Sequence, residues 1–263
     1  MQVVDKPLTI SEWNCVWPNE YIIEGPLLMA ATGAIQGWDG PMQFSWGTYY
    51  DDINRMEGCF ENWNKSHFMA AGLPAALLFR RGDLPMADWG WVEPLSDDPT
   101  RFFEPPLSSA PDGEYLRSAI GSSLDGLKVE EPGPERRDVR LDRELGMLLV
   151  DTTRSQGAVG FLEGQLTETS LLAIEVEETP FCQVFLSSLD SKSLAESQRM
   201  ALTAVARAEN TNQVWKPFRN GLKDVGRGPV LMEPVRATVT LKGARSLTVT
   251  ALDQHGKIGR AHV

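Results

Sequence analysis

The residues best suited to catalysis or ligand binding are one carboxylate and the aromatic side chains near it in the sequence. Glu12 lies in the run Ile10-Ser11-Glu12-Trp13-Asn14, and Trp17, Trp38 and Trp46 follow. A carboxylate can attack an anomeric carbon or transfer a proton to or from a glycosidic oxygen. Indole rings offer flat apolar faces on which pyranose rings stack. Two interpretations stay open: a sugar site, or a solvated carboxylate at the end of a strand with the tryptophans in the core.

Other polar residues are weaker candidates. Asn14 and Asp39 could bind sugar hydroxyls, although Asp39 could equally close a turn with Gly40. Glu20 could line the rim of a site, but an exposed loop carboxylate is usually only solvated. Glu24 is explained by the positive end of a helix dipole.

Several classes of site lack their motifs. The chain has no G-x-S-x-G, G-x-G-x-x-G or Walker sequence, and its three histidines are scattered. Cys15, Cys59 and Cys182 form no C-x-x-C pair and no Cys/His cluster, so we predict neither a metal site nor a cofactor.

The elements that would position Glu12 alternate between strand and helix. A strand is predicted over 7–13, a helix over 21–36 that stops at Gly37, and a strand over 41–46. A second helix is predicted over 54–79, interrupted near Gly72 and Pro74. This order is typical of parallel α/β folds, in which catalytic residues lie at the carboxyl ends of strands.

Residues 1–85 resemble the end of the (β/α)8 barrel of retaining glycoside hydrolases of the large Glu/Glu clan. The matching segments are Ile10 to Asn14, Glu24 to Ala31, Gln36 to Gly40 and Gln43 to Trp46. The resemblance implies that Glu12 is the nucleophile at the end of the seventh strand. It also implies that aromatic residues at the end of the eighth strand floor the sugar subsite. The substrate-binding candidates are Trp13, Asn14, Trp17, Trp38, Asp39 and Trp46.

The rest of the chain differs from residues 1–85 in amino-acid composition and pattern. Residues 86–137 are rich in Pro, Ser and acidic residues and predict a connector with a short helix near 113–120. Residues 138–263 predict an antiparallel β-sandwich similar to the domain that follows the barrel in some of these hydrolases. Its ten strands are predicted at 138–141, 147–151, 156–162, 171–175, 181–187, 199–206, 213–215, 230–233, 237–241 and 246–252. The predicted fold class is therefore α/β plus all-β, a partial barrel segment followed by a sandwich.

A whole barrel takes about 250 residues, and the resemblance covers only 1–85. The proton-donating glutamate, which lies after the fourth strand in that family, has no counterpart here. The two parallel strands need cover for their edges, and we expect a homo-oligomer to provide it. A sandwich that folds back onto the strands, or a chain that is part of a longer protein, are the alternatives.

The net charge and composition limit the classes of partner that we expect. A formal charge of -11 disfavours nucleic acid and anionic membranes, whereas neutral carbohydrates are compatible with acidic sites. No apolar stretch approaches the roughly 20 residues of a membrane span, and no signal-peptide pattern is visible, so the compartment stays open. We therefore expect a glycoside hydrolase, or part of one, that cleaves β-linked sugars with retention. A non-catalytic carbohydrate-binding or interaction module is the alternative.

Overall fold

The first half of the chain contains both α-helices of the described structure. The computed structural model describes residues 2–47, 54–96, 98, 113–243 and 246–252. Within these ranges the fold is mainly β, with several antiparallel sheets and no barrel. The elements of the first half are β1 (Gln2–Val3), β2 (Thr9–Trp13), α1 (Glu24–Gln36), β3 (Gly40–Gln43), α2 (Ser66–Arg80), β4 (Trp89–Pro94), β5 (Ala119–Ser123) and β6 (Val129–Glu130).

Strands β2 and β3 form a parallel pair connected through α1, as the sequence predicts. Thr9 pairs with Gly40, and the register shifts before Trp13 pairs with Gln43. Helix α1 ends where predicted, because Gly37 adopts a left-handed conformation (φ 69°) and donates its N–H to the carbonyl of Ala34.

The second predicted helix is too long at its start. Helix α2 begins at Ser66, not near residue 54, and continues through Pro74 without the expected interruption. Lys65 explains the late start, since its buried side chain donates a hydrogen bond to the carbonyl of Gly58 at 3.1 Å. That bond holds the preceding residues in a loop, where Gly58 has a positive φ of 74°.

Residues 86–137 were predicted as a connector, but they contain three strands. Strands β1, β4 and β5 are mutually parallel in the order β1-β5-β4, and β6 joins β4 in antiparallel fashion. Gly121 allows the close approach, because a Cβ there would stand 2.8 Å from the carbonyl oxygen of Gln2. The predicted short helix corresponds to a single 3-10 turn at Glu114–Leu116.

The second half of the chain forms two larger antiparallel sheets and two two-stranded sheets. Its strands are β7 (Val139–Asp142), β8 (Met147–Asp151), β9 (Ser155–Phe161), β10 (Leu166–Glu168), β11 (Leu172–Val176), β12 (Phe181–Ser188), β13 (Met200–Ala206), β14 (Ala208–Thr211), β15 (Val214–Trp215), β16 (Leu222–Asp224), β17 (Arg227–Met232) and β18 (Ala237–Leu241). The sheet orders are β13-β12-β9-β8-β7 and β10-β11-β18. The hairpin β15–β16 lies in the connection between β14 and β17, which pair with each other as a second two-stranded sheet. The described residues 246–252, predicted as a strand, do not form one.

The five-stranded sheet is buried on both faces. On one face, Ala158 and Val184 share a core with Ile174 and Val176 of the three-stranded sheet. On the other face, a larger core joins the sheet to both helices; its members include Leu27, Ala75, Val159, Phe185 and Val205. The apolar faces of both helices are therefore covered by another part of the same chain.

An ionic network fixes the end of α2 to the same sheet. The Asp83 carboxylate is fully buried, pairs with Arg81 and Arg154, and accepts a hydrogen bond from the Ser155 hydroxyl at 2.7 Å. Arg81 also donates to the carbonyl of Ser188. Helices and sheet are thus joined by charge-assisted hydrogen bonds as well as by apolar contacts.

Candidate functional site

Glu12 lies at the carboxyl end of β2, where the strand bulges. Two residues, Ser11 and Glu12, stand opposite the single residue Met42 of β3. Bulges of this kind re-aim a side chain and are common beside active sites. Glu12 is exposed and makes no hydrogen bond or ion pair with the described part of the chain. Its carboxylate oxygens are therefore free to meet a ligand.

The Asn14 side chain connects the end of β2 to two other segments through hydrogen bonds. Its amide nitrogen donates to the carbonyl of Phe44, to the carbonyl of Phe60 at 2.8 Å and to the Asn62 side chain at 3.4 Å. Asn62 in turn donates to the carbonyl of Ser45 at 2.9 Å. The predicted role of Asn14 in substrate binding is reduced to one buried, unpaired oxygen, Oδ1. Its amide group positions the backbone that follows β3.

An exposed aromatic surface follows β3. Trp46 is 66% exposed, and Phe44 and Phe60 are each 43% exposed, with their ring centroids 5.8 Å apart. The Trp46 carbonyl accepts a hydrogen bond from the Trp63 amide at 3.1 Å, which fixes the backbone beneath the Trp46 ring. We call Phe44, Trp46 and Phe60 the aromatic surface. The sequence analysis identified Trp46 but not the two phenylalanines, because Phe44 was assigned only to a predicted strand and Phe60 to a predicted helix.

Two of the predicted stacking tryptophans pack into the protein instead. Trp17 is 7% exposed and lies in a small core with Met56 and Ala208. It has no open ring face for a sugar, so its predicted binding role is wrong. Trp13 is half-buried against Phe68 of α2, with ring centroids 6.4 Å apart in an edge-on arrangement. Its buried Nε1 has no hydrogen-bond partner.

Trp38 and Asp39 lie at the opposite end of the strand pair. They precede β3, and the Asp39 carboxylate accepts a hydrogen bond from the Leu8 amide at 2.9 Å. At a rise of about 3.3 Å per residue, Glu12 stands roughly 10 Å further along β2 than Thr9. The structure therefore does not place these two residues in one site with Glu12, which corrects the grouping predicted from sequence. Asp39 closes the entry to β3, the structural alternative for it.

Buried ionisable groups support the loop behind the aromatic surface. Burial lowers the pKa of Lys65 to about 8, against the opposing charge of Glu61. Burial, and to a lesser extent the nearby charge of Lys65, lower the pKa of His67 to about 4. His67 is therefore neutral at pH 7, and its buried Nδ1 has no partner. These residues shape the loop and do not face solvent.

Burial also affects two groups in and after the loop that follows β2. It raises the pKa of the Glu24 carboxyl, and it raises the pKa of the Cys15 thiol, to which the Glu24 charge adds. Both groups are thereby biased towards their neutral forms. Within the described residues, no group of three or more His, Cys, Asp or Glu side chains is arranged to hold a metal ion. No described helix is long and apolar enough to cross a membrane.

Comparison of the chain with family models, with curated proteins and with solved structures gave no match. The site is therefore interpreted from its own geometry. It contains a free carboxylate at the end of a parallel strand, an asparagine that fastens the next segments and an exposed aromatic surface.

Proposed function

We propose that this chain is a glycoside hydrolase, or part of one, that cleaves β-linked sugars by a retaining mechanism. Glu12 is the proposed nucleophile. The observation that carries the proposal is the exposed, unpaired carboxylate of Glu12 at a bulge, at the end of a parallel strand. The neighbouring segment carries the aromatic surface, which supplies stacking area for sugar rings.

In this mechanism the Glu12 carboxylate attacks the anomeric carbon as the glycosidic C–O bond breaks. A second carboxyl group protonates the departing oxygen, and a covalent glycosyl ester forms on Glu12. Water, deprotonated by that second group, then attacks the same carbon and releases Glu12 and the sugar with retained configuration. Each step transfers one proton, and both carboxyl groups return to their starting states only when the second step is complete.

The finer architecture belongs to the same proposal. Strands β2 and β3 correspond to the seventh and eighth strands of a (β/α)8 barrel, and the two antiparallel sheets to a trailing β-sandwich. In the resembled family the proton donor lies after the fourth barrel strand, so under this proposal it comes from outside the described residues or from another chain.

A non-catalytic carbohydrate-binding or interaction module is the second candidate. It is favoured because the family's proton-donating glutamate has no recognised counterpart in this sequence, whereas the aromatic surface suits both candidates equally. In that case Glu12 accepts hydrogen bonds from sugar hydroxyls and forms no covalent bond.

The test is turnover of a panel of chromogenic β-glycosides by the wild-type chain, Glu12→Gln and Glu144→Gln. Glu144 is an exposed glutamate between β7 and β8, so it is a matched control. We expect turnover to fall by about a thousandfold or more in Glu12→Gln and to stay unchanged in Glu144→Gln.

A further variant separates a nucleophile from a proton donor. In Glu12→Ala, added azide should enter the vacated space, attack the anomeric carbon and give an α-glycosyl azide from a β-glycoside. Unchanged turnover in Glu12→Gln would exclude Glu12 as the nucleophile. Sugar binding without turnover in any of these proteins would favour the binding module.

A further inference from the structure

Two open cavities flank Arg219, and neither is lined by a residue of β2 or β3. Their volumes are about 410 Å³ and 680 Å³, and Arg219 lines both. The larger lies between Asn19 and Glu20 of the loop after β2 and Phe218 of the loop between β15 and β16. The smaller is bordered by β14 and β17, with Gln213 at its wall.

Between the cavities lies a fixed ionic array, here called the arginine cluster: Glu20, Arg207, Glu209, Arg219 and Glu233. Arg207 binds both oxygens of Glu233 at 2.8 Å and reaches Glu20 at 3.1 Å. Arg219 binds the other oxygen of Glu20 at 3.0 Å and pairs with Glu209.

An indole ring fixes Arg219 from one side. The Arg219 guanidinium carbon stands 4.6 Å from the centroid of Trp215, whose Nε1 donates to Glu209 at 2.7 Å. Stacking and ion pairing together hold the guanidinium plane in one orientation. The cluster therefore presents donors and acceptors in fixed directions and still retains unused N–H groups and lone pairs.

The backbone at the cavity mouth is strained. Phe218 and Arg219 have φ of 60° and 52°, and Asn212, at the smaller cavity, has φ of 61°. These are three of the four non-glycine residues with positive φ among the described residues. Each such conformation costs roughly 1 kcal/mol, and strain of this kind concentrates at functional sites. Here its result is a Phe218 ring that is 100% exposed at the edge of a cavity.

We propose that these cavities form a second binding site, which holds a neutral glycan away from Glu12. The three carboxylates of the cluster outnumber the two guanidinium groups, so an anionic ligand is disfavoured. Sugar hydroxyls both donate and accept, so they match a mixed set of carboxylate and guanidinium groups. Gln213 lies at the wall of the smaller cavity. Phe218 supplies the apolar face for one pyranose ring.

The loop after β2 connects this site to Glu12. It begins at Asn14, places Trp17 in a core with Met56 and Ala208, and brings Glu20 to the arginine cluster. Asn210 strengthens the joint, since its side chain bonds the amide and the carbonyl of Met56 at 2.7 and 2.8 Å. A long glycan could then bind at both places, while a short one would occupy only the site at Glu12. In its ligand class this inference rests on the carbohydrate function proposed above.

The experiment is calorimetric titration of the whole chain with hexasaccharides and disaccharides of β-linked glucose, mannose and xylose. The variants are Phe218→Ala and Glu209→Gln, with Leu124→Ala as the control. Leu124 follows β5 and is 68% exposed, so it reports on the loss of an exposed apolar side chain elsewhere. Phe218 is fully exposed, so its truncation leaves packing intact.

We expect Phe218→Ala to weaken hexasaccharide binding about tenfold and to leave disaccharide binding unchanged. Glu209→Gln should weaken it in the same direction, and Leu124→Ala should have no effect. Trp215 fluorescence should change when the hexasaccharide is added to the wild-type chain. In Phe218→Ala the change should be smaller or absent.

Failure here is distinguishable from failure of the proposed hydrolase. Equal hexasaccharide affinity in wild type and Phe218→Ala, or no hexasaccharide binding at all, would overturn the second site. Loss of binding in Phe218→Ala with unchanged turnover in Glu12→Gln would uphold the second site and reject Glu12 as the nucleophile. Loss of turnover in Glu12→Gln with unaltered hexasaccharide affinity in Phe218→Ala would do the reverse.

Discussion

Glu12 and Asn14 stand two positions apart, yet their side chains have different surroundings. Glu12 is exposed and unpaired, whereas the Asn14 amide is bonded to the carbonyls of Phe44 and Phe60. A change at Asn14 would therefore move the aromatic surface, while Glu12→Gln leaves it in place. This difference is why Glu12 is the informative position for chemistry, and why a loss of activity at Asn14 would report on positioning.

His67 gives the fold a pH dependence of defined sign. It is 2% exposed on the first turn of α2, and its pKa is lowered from 6.5 to about 4 by burial and by Lys65. Below pH 6.5 the unfolded chain binds a proton that the folded chain refuses, so stability is lost as the pH falls towards 4. We expect this one residue to lower the free energy of unfolding by about 2 to 4 kcal/mol across that window.

The measurement is urea unfolding of wild type and His67→Gln at several pH values between about 7.5 and 4. Glutamine does not titrate, so the difference between the two proteins should shrink as the pH falls. Parallel stability curves for the two proteins would contradict a buried neutral His67.

At the scale of elements, the sequence predicts what local pattern determines. Helix α1 has apolar residues at helical spacing and a glycine stop, and its end at Gly37 is confirmed. The pairing of β2 with β3 follows from their order around that helix. Trp38 was grouped wrongly with Glu12, although the strand predicted over 41–46 already placed it before the start of β3.

The missed elements have a weak or interrupted local signal. Strand β5, Ala119–Ser123, consists mostly of small residues. In β4, Trp89, Trp91 and Val92 favour a strand, but Gly90 and Pro94 interrupt the pattern. Their burial between neighbouring elements makes them strands, and this depends on contacts distant in sequence. The same limit hid Phe60 and Asn62, which reach the candidate site through hydrogen bonds made by Asn14.

Two helical glycines offer a matched test of packing in the elements. A Cβ at Gly72 of α2 would meet nothing within 4 Å, whereas one at Gly25 of α1 would stand 2.1 Å from the Sγ of Cys15. Gly72→Ala should stabilise the protein by about 0.5 to 1 kcal/mol, because alanine loses less backbone entropy in a helix. Gly25→Ala should destabilise it by about 1 to 3 kcal/mol through overpacking.

Both values come from thermal or urea unfolding monitored by circular dichroism. A stabilising Gly25→Ala would mean that Cys15 moves aside freely, and a destabilising Gly72→Ala would mean that this face of α2 is covered. Helix propensity is common to both substitutions, so the difference between them isolates the contact.

At the scale of the whole molecule, the helices are covered and the parallel pair is not. Both helices share a core with the five-stranded sheet, so they do not need a second chain to cover their apolar faces. The outer edges of β2 and β3 still need cover, because they are unpaired within the described residues. Parallel strands are normally covered on both faces, and a two-stranded sheet is marginal alone.

The surface beside this pair is apolar. Met42 of β3 is 53% exposed and Leu73 of α2 is 50% exposed, and between the strand and the helices lies a cavity of about 510 Å³ lined by Met29 and Phe79. Exposed apolar surface of this kind marks contact sites between chains. Self-association through β2 and β3 therefore stays a prediction. A second copy would also bring its own carboxyl groups towards Glu12.

The prediction is tested by size-exclusion chromatography with light scattering over a range of concentrations. We expect a dimer in the wild-type chain, and a monomer in Met42→Glu, because a charge buried at the interface lacks a partner. The control is Leu202→Glu on the edge strand β13, where Leu202 is also 50% exposed. A wild-type chain that is monomeric at all concentrations would reject the dimer, and dissociation by Leu202→Glu alone would move the contact to the other sheet.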